Sequence, residues 1–227
     1  MRNSKKQAPR NLDDLPFAGE LGVPPGNGEL EDNGDYDRIR FDKSTFDDPG
    51  AGGARFLEVA FTDVTFDTGW LRRSRLSQVW LEQSRFVGTD LAEASLTDVW
   101  LHGCVLAGVQ AFGTAQRRVT FRGCKLDSVN FRDAVLTDVT FEDCVLRDAD
   151  FGGAKLTRVQ FPGCTLSGAE LNNVTCDGVD LRGAALGGED TPGIRSGYDA
   201  LRGVRIDAVQ LMTLAPLIAH HLGITVD

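Results

Sequence analysis

The sequence repeats with a period of five residues, and this period limits the possible folds more than any other feature. Between Phe41 and Leu186, every fifth position is Leu or Phe in twenty-six of thirty cases. Eleven of the chain's 13 Phe residues fall in this one register. Apolar residues recur about every 3.6 positions in an amphipathic helix and every second position in a strand, so neither element explains a period of five. A chain that turns a corner every five residues keeps this column facing inward.

A second column of small residues lies two positions before each of these central residues. Twenty-eight of its thirty members are Ala, Cys, Ser, Thr, Val or Gly, and the exceptions are Ile39 and Pro49. Small residues are required where the walls of a narrow coil converge, because the interior packs at protein density. Gly or Asp often follows two positions after the central residue, as at Gly88 and Asp98, and both residue types favour turns. The pattern predicts a coil that turns every five residues, with Leu and Phe in its lumen.

The units FRDAV, LTDVT, FEDCV, LRDAD and FGGAK resemble the pentapeptide-repeat family, whose unit is usually written A(D/N)LXX. The resemblance covers about residues 36–188 and implies an all-β solenoid, namely a right-handed quadrilateral β-helix with four pentapeptides per coil. The chain departs from the family at the position before the central residue. Asp or Asn is expected there, whereas Thr, Trp, Val or Lys is common. We therefore expect the family's fold with an outer surface of its own.

Two flanking segments adjoin the repeats. Residues 1–35 are rich in Pro, Gly and acidic residues and predict a flexible arm, in which Leu12, Leu15 and Phe17 are the residues available for docking. Residues 189–227 predict a linker and a helical cap. A cap is needed because the end of a solenoid otherwise exposes its core and unpaired strand edges.

The helical cap begins with a capping-box pattern, formed by Asp207 and Gln210. Because Pro216 has no N–H to donate, we expect a break near Ala215 and a second short helix that ends at Gly223. Two interpretations of the cap stay open. It closes the last coil, or it also carries a homodimer interface.

Composition narrows the classes of function. The net charge of −9 and the pI near 4.8 disfavour direct binding to nucleic acid, which needs a basic surface. There is no apolar stretch long enough for a membrane span and no apolar core of a signal peptide, so we expect a cytoplasmic protein. The three histidines, the acids and the serines form no recognisable catalytic motif, and no phosphate-binding loop is present. We expect no enzyme activity and no cofactor.

Four cysteines recur every twenty residues and are predicted to stack in one column of the lumen. They are Cys104, Cys124, Cys144 and Cys164. An odd total of five cysteines argues against a disulfide framework, and the column lacks His or acidic companions for a metal ion. We interpret the four as small buried filler.

The preferred candidate for a binding surface is a pair of tryptophans. Trp80 and Trp100 occupy equivalent positions in successive coils and face away from the lumen, with His102 close by and Trp70 expected one wall away. Single exposed aromatics are common on protein surfaces, so an incidental placement is the alternative. Two tryptophans stacked on a rigid wall are typical of an interaction hot spot.

A second candidate is the irregular stretch around Ala111 and Gln116, where the central residue is neither Leu nor Phe. The repeat resumes in phase at Phe121. The stretch is either a tolerated weak coil with Phe112 displaced outward, or a bulge that presents Phe112, Arg117 and Arg118 to a partner.

Two functions are compatible with these features. The first is a scaffold that binds another protein. The second is implied by the resemblance, since the best-known functional branch of the family mimics DNA, binds DNA gyrase and protects it from quinolones or toxins. Mimicry needs a continuous acidic wall, but residues 41–188 contain 20 acids and 15 bases, a net of −5, with alternating signs along columns. We expect inter-coil ion pairs, which favour the scaffold.

Overall fold

The computed structural model of the protein describes residues 8–26, 28–187 and 193–225. Within these ranges the backbone forms sixteen strands, three 3-10 helices and one α-helix. The strands are β1 (Asp35–Asp37), β2 (Arg40–Asp42), β3 (Thr45–Asp47), β4 (Arg55–Leu57), β5 (Ala60–Thr62), β6 (Thr65–Asp67), β7 (Arg75–Glu82), β8 (Arg85–Val87), β9 (Ser95–His102), β10 (Val105–Ala107), β11 (Ala115–Arg122), β12 (Lys125–Asp127), β13 (Val135–Thr137), β14 (Thr140–Glu142), β15 (Lys155–Thr157) and β16 (Thr175–Asp177). The 3-10 helices are Leu12–Asp14, Ala18–Glu20 and Tyr198–Leu201, and α1 is Ala208–His221.

The strands wind into a parallel β-solenoid of about seven turns. Every strand pair is parallel, and each residue pairs with the residue twenty positions later, as Leu76 does with Leu96. Each turn has four sides, which we call walls A to D. Wall A is formed by isolated parallel β-bridges that join successive turns from Gly50 to Glu170. Wall B holds β1, β4, β13, β15 and β16, wall C holds β2, β5 and β14, and wall D holds β3, β6, β8, β10 and β12. The longer strands β7, β9 and β11 run from wall B into wall C. The predicted all-β solenoid with a helical cap is confirmed.

The lumen is filled by the two predicted inward columns. Aromatic rings from successive coils stack, with centroids 5.0 Å apart for Phe41 and Phe61 and 4.7 Å apart for Phe121 and Phe141. These distances match the strand spacing of about 4.8 Å, so each ring rests on the ring of the coil before it. Burial of one such side chain contributes about 2–3 kcal/mol. Packing in the lumen therefore stabilises the fold, and only the outward side chains are available for contacts with other molecules.

The corners between walls have a left-handed backbone. The corner residue follows the central residue by two positions, and twenty non-glycine residues of the described chain have positive φ, most of them at such corners. Asp occupies many of these corners, as predicted, and Arg73 (φ 56°) and Arg118 (φ 54°) each occupy one as well. The left-handed conformation costs a residue other than Gly roughly 1–2 kcal/mol. It also directs these arginine side chains outward from the rod.

The amino-terminal segment packs on wall C in the part that is described. Leu15 and Phe17 are 7% and 2% exposed, and Gly22 forms a parallel bridge with Ile39. A salt bridge of 2.9 Å between Glu20 and Arg38 fixes the segment further. Docking of Leu15 and Phe17 is confirmed, so residues 12–22 are a strap rather than a free arm. Residues 1–7 of the expected arm lie outside the described residues.

The helix α1 closes the last coil. Asp207 and Gln210 form the predicted capping box, with bonds of 2.8 and 2.9 Å. The side-chain amide of Gln210 also donates to the carbonyls of Leu181 and Ala184, at 2.5 and 2.7 Å, and so joins the helix to the solenoid. In the part of the chain that the structure describes, no helix combines the length and the apolarity that a membrane crossing requires.

The predicted break at Pro216 is wrong, because α1 continues through it to His221. Pro216 removes one hydrogen bond, the bond to the carbonyl of Met212. Met212 is 77% exposed, so water can satisfy that carbonyl. The predicted boundary between the repeats and the linker, at residues 188 and 189, lies outside the described residues.

Candidate functional site

The predicted pair of exposed tryptophans on wall C does not exist. Trp80 is 0% exposed, because the strap residues Leu15 and Phe17 pack on it together with Ala60. Trp100 pairs with Trp80 in the next coil and is half-buried against the same cluster. Both side chains lie outside the lumen, as the repeat predicted. The repeat pattern contains no information about whether another segment of the chain covers them.

His102 lies beside Trp80 on wall C. Its ring centroid is 4.2 Å from that of Trp80, and its side chain is 9% exposed. The Nε2 atom is buried and has no hydrogen-bond partner among the described residues. Burial, and to a smaller extent the nearby guanidinium of Arg122, lower the pKa of His102 to about 4, while Glu142 acts weakly in the opposite direction. His102 is therefore a neutral packing residue at physiological pH.

The stretch around Gln116 is a regular coil and not a bulge. It forms β11, which pairs with β9 along its whole length. Ala111 and Gln116 both remain buried in the lumen, at 3% exposure, and Gln116 donates from Nε2 to the hydroxyl of Thr114 at 3.2 Å. The interpretation with Phe112 displaced outward is thus confirmed. Arg117 is exposed, whereas Arg118 pairs with Asp98 at 2.6 Å.

Wall A carries the exposed aromatic residues of the solenoid. Trp70 is 42% exposed and Phe112 is 41% exposed, while every other Phe, Trp and Tyr in the described ranges is buried or half-buried. Both residues stand on wall A, and Trp70 precedes Phe112 by two coils, or about 10 Å along the axis. Trp70 was expected one wall from Trp80. It stands on the opposite wall.

The indole of Trp70 is held in place from two sides. Its Nε1 donates to a carboxylate oxygen of Asp32 at 3.2 Å, and the same oxygen accepts the N–H of Gly52 at 2.7 Å. A Cβ added at Gly50 or Gly52 would lie 3.1 or 3.2 Å from the indole ring. These two glycines allow the indole to lie against the backbone of the preceding coil, so that its other face points to solvent.

A groove with three arginines adjoins Trp70. It has a volume of about 930 Å³ and is lined by Asp32, Trp70, Arg72, Arg73, Arg75 and Asp90 among others. Arg72 forms a salt bridge with Asp90. Sequence reasoning missed this groove, although the run LRRSRL, three arginines in four positions of an acidic chain, is a visible signal.

The cysteine column is buried as predicted. Cys104, Cys124, Cys144 and Cys164 are at most 1% exposed. The neighbouring thiol and burial raise the pKa of Cys124 and of Cys144 to about 12. In the described part of the chain, no cluster of three or more His, Cys, Asp or Glu is placed to hold a metal ion.

The predicted ion pairs between coils are present. Arg118 binds Asp98 and Arg158 binds Asp138, both at 2.6 Å, and Arg122 binds Glu142 at 2.8 Å. Each exposed pair stabilises the fold by about 1 kcal/mol or less. Each pair also places a guanidinium beside a carboxylate, so the acids of these columns do not form an unbroken run of negative charge.

Two family models match the chain. One is described as a pentapeptide repeat region and matches residues 94–171. The other is described as pentapeptide repeats in eight copies and matches residues 71–108. No curated protein matches the chain.

Solved structures with a similar winding include two pentapeptide repeat proteins. HetL from the cyanobacterium Nostoc sp. strain PCC 7120, a protein involved in heterocyst differentiation regulation, is 19% identical, with 70% of this chain and 76% of HetL covered and a TM-score of 0.42. A trypsin-treated variant of QnrB1, a plasmid-mediated fluoroquinolone resistance protein, is 19% identical, with 86% of this chain and 100% of that chain covered and a TM-score of 0.40. At these values the likeness carries no conclusion about function.

Proposed function

The chain belongs to the pentapeptide-repeat family, and we propose that it is a non-catalytic scaffold that binds another protein through wall A. One observation carries the proposal. Trp70 and Phe112 are exposed on the same wall, in a chain that otherwise buries or half-buries its described aromatic side chains. About two fifths of each residue remains exposed, so a partner that covers it can recover about 1 kcal/mol of burial from each.

The neighbourhood of the two aromatics supports this assignment. Val135, which is 43% exposed, stands on the adjoining wall B one coil beyond Phe112. We call Trp70, Phe112 and Val135 the apolar edge. The rim of the apolar edge contains the exposed cations Arg117 and Arg132. An apolar centre with a charged rim is the usual anatomy of a protein interface.

The test is capture of partners by the purified full-length chain, quantified by mass spectrometry. A variant with Trp70→Ala and Phe112→Ala loses both anchors, and truncation of a hot spot costs about 2 kcal/mol or more, roughly thirtyfold in affinity. Val87→Ala on wall D is the matched control, since it removes an outward apolar side chain from a different wall. We expect a protein that the wild type and the control enrich and that the double variant loses. Equal capture by all three rules out wall A as the interface.

A second copy of the chain is a further proposed partner, through α1. Gln210 and Leu214 face the solenoid, whereas Val209 and Met212 are 74% and 77% exposed, and Leu222 beyond the helix is 62% exposed. Exposed apolar side chains that lie together on one surface favour association with another molecule. Sedimentation equilibrium tests it: the wild type should be a dimer and Met212→Glu a monomer, whereas a monomeric wild type refutes the proposal.

A further inference from the structure

We infer that the groove beside Trp70 binds an acidic peptide segment of the partner, an inference that rests on the proposed scaffold function. The groove has a volume of about 930 Å³. Small-molecule sites span roughly 300–1,000 Å³ but enclose most of their ligand. This groove instead lies open along wall A, and Phe112 stands further along the same wall. An open groove of this kind fits an extended chain better than a compact molecule.

The groove offers one rigid apolar contact. Trp70 is fixed by Asp32 and by the close backbone of Gly50 and Gly52, so its exposed face needs no reordering when a ligand arrives. A preordered side chain loses little conformational entropy on binding. An apolar residue of the peptide is expected to pack on this face.

The groove also offers guanidinium groups without acidic partners. Among residues 8–26, 28–187 and 193–225, neither Arg73 nor Arg75 forms an ion pair, although the nearby arginines Arg55 and Arg72 do. Asp32 keeps its negative charge, because the indole N–H and the Gly52 N–H that it accepts are neutral donors. With three arginines and two aspartates in its lining, the groove carries a net positive charge, and Arg73 and Arg75 are its cations outside the ion pairs of the described residues.

Charge decides the chemistry of the peptide. Guanidinium groups bind carboxylates in a bidentate geometry, and such charge-assisted bonds are stronger than neutral ones. The chain carries a net charge of −9, which repels an acidic peptide from most of its surface. Repulsion elsewhere and attraction at Arg73 and Arg75 together direct an acidic segment to this groove, although the overall charge taken alone favours a basic partner.

The probe is a fluorescein-labelled decapeptide of Asp and Glu with one central Phe, titrated against the full-length protein in about 50 mM salt, where screening is weak. We expect saturable binding with a dissociation constant on the order of 10–100 μM. The double variant Arg73→Glu and Arg75→Glu should weaken binding at least about tenfold. Trp70→Ala should also weaken it, with circular dichroism to verify the fold.

Arg85→Glu is the matched control, since Arg85 is an exposed arginine on wall D that forms no ion pair with another described residue. The inference is overturned by any of four results: no binding, equal loss in the control, equal binding of a peptide with Lys in place of the acids, or binding of ATP in place of the peptide. If the capture experiment yields a partner that depends on Trp70 and Phe112 while the acidic probe fails, the scaffold proposal stands and only this inference falls. If the probe binds but no partner is captured, the scaffold proposal fails and with it the assignment of the peptide to a partner, while the affinity of the groove for an acidic chain stands.

Discussion

Replacing Gln116 with leucine should stabilise the protein. Gln116 occupies a central position between Leu96 and Leu136 in the lumen, and it is 3% exposed. Its Oε1 atom is buried, and no residue in the described part of the chain donates a hydrogen bond to it. A buried unsatisfied polar atom costs about 1–3 kcal/mol. Leucine is the residue that this column ordinarily uses, and the small side chain of Ala111 leaves room for a branched neighbour.

The magnitude follows from three contributions. Gln116→Leu relieves about 1–3 kcal/mol of unsatisfied polarity and loses about 1 kcal/mol from the 3.2 Å bond between Gln116 Nε2 and the Thr114 hydroxyl. The added apolar burial contributes about 1 kcal/mol. The net gain is about 2 kcal/mol, which raises the Tm of a chain of this size by about 4–8 °C.

Thermal unfolding followed by circular dichroism measures the effect, and hydrogen exchange of the β11 amides reports the local change, since a coil contacts only its neighbours. Gln110→Leu is the control, because Gln110 is exposed on wall A, and it should change stability by no more than about 0.5 kcal/mol. An unchanged or lower midpoint for Gln116→Leu would refute the reasoning. It would mean that the amide is satisfied in solution or that the lumen rejects leucine here.

Three further predictions concern the buried outward residues and the cysteines. Phe17→Ala removes about 2–3 kcal/mol of packing from the strap and should expose Trp80. Acrylamide should then quench the fluorescence of Trp80 in that variant but not in the control Phe112→Ala. Equal quenching in the two variants would mean that the strap does not cover Trp80. Folded His102 has a pKa near 4 against 6.5 when exposed, so stability should fall by up to about 1 kcal/mol per pH unit as the pH drops from 6.5 to 4. His102→Gln should reduce that slope, and identical slopes contradict the assignment. A maleimide reagent should label none of the four column cysteines in the folded protein and all of them in guanidinium chloride, whereas rapid labelling of the native state would disprove their burial.

The repeat alone was sufficient to predict the lumen. A column of Phe and Leu at a fixed period must face one axis, and the small residues of the second column, such as Val59 and Cys104, are 0% exposed as expected. The error over Trp70 was avoidable, because it precedes Trp80 by two pentapeptides, which are two walls. No arithmetic of this kind applies to the strap, since residues that contact the outside of a solenoid share no period with it.

The candidate site was less predictable for a physical reason. Whether Trp80 or Trp70 is exposed depends on where a non-repeating segment docks, and that is a contact between residues distant in sequence. The groove depends on an equally distant contact, between Asp32 and Trp70. Pro216 shows the opposite failure, since a reliable local rule was outweighed by the remaining bonds of α1 and by its attachment through Gln210.

The central claim is that wall A is the surface that meets another protein. Site-specific incorporation of a photo-crosslinking phenylalanine at position 112 or at position 87, in the full-length chain within cells, tests it most directly. These positions stand on walls A and D. We predict a discrete crosslinked protein from Phe112 and none from Val87. Equal crosslinking from both positions, or none from Phe112, would contradict the account.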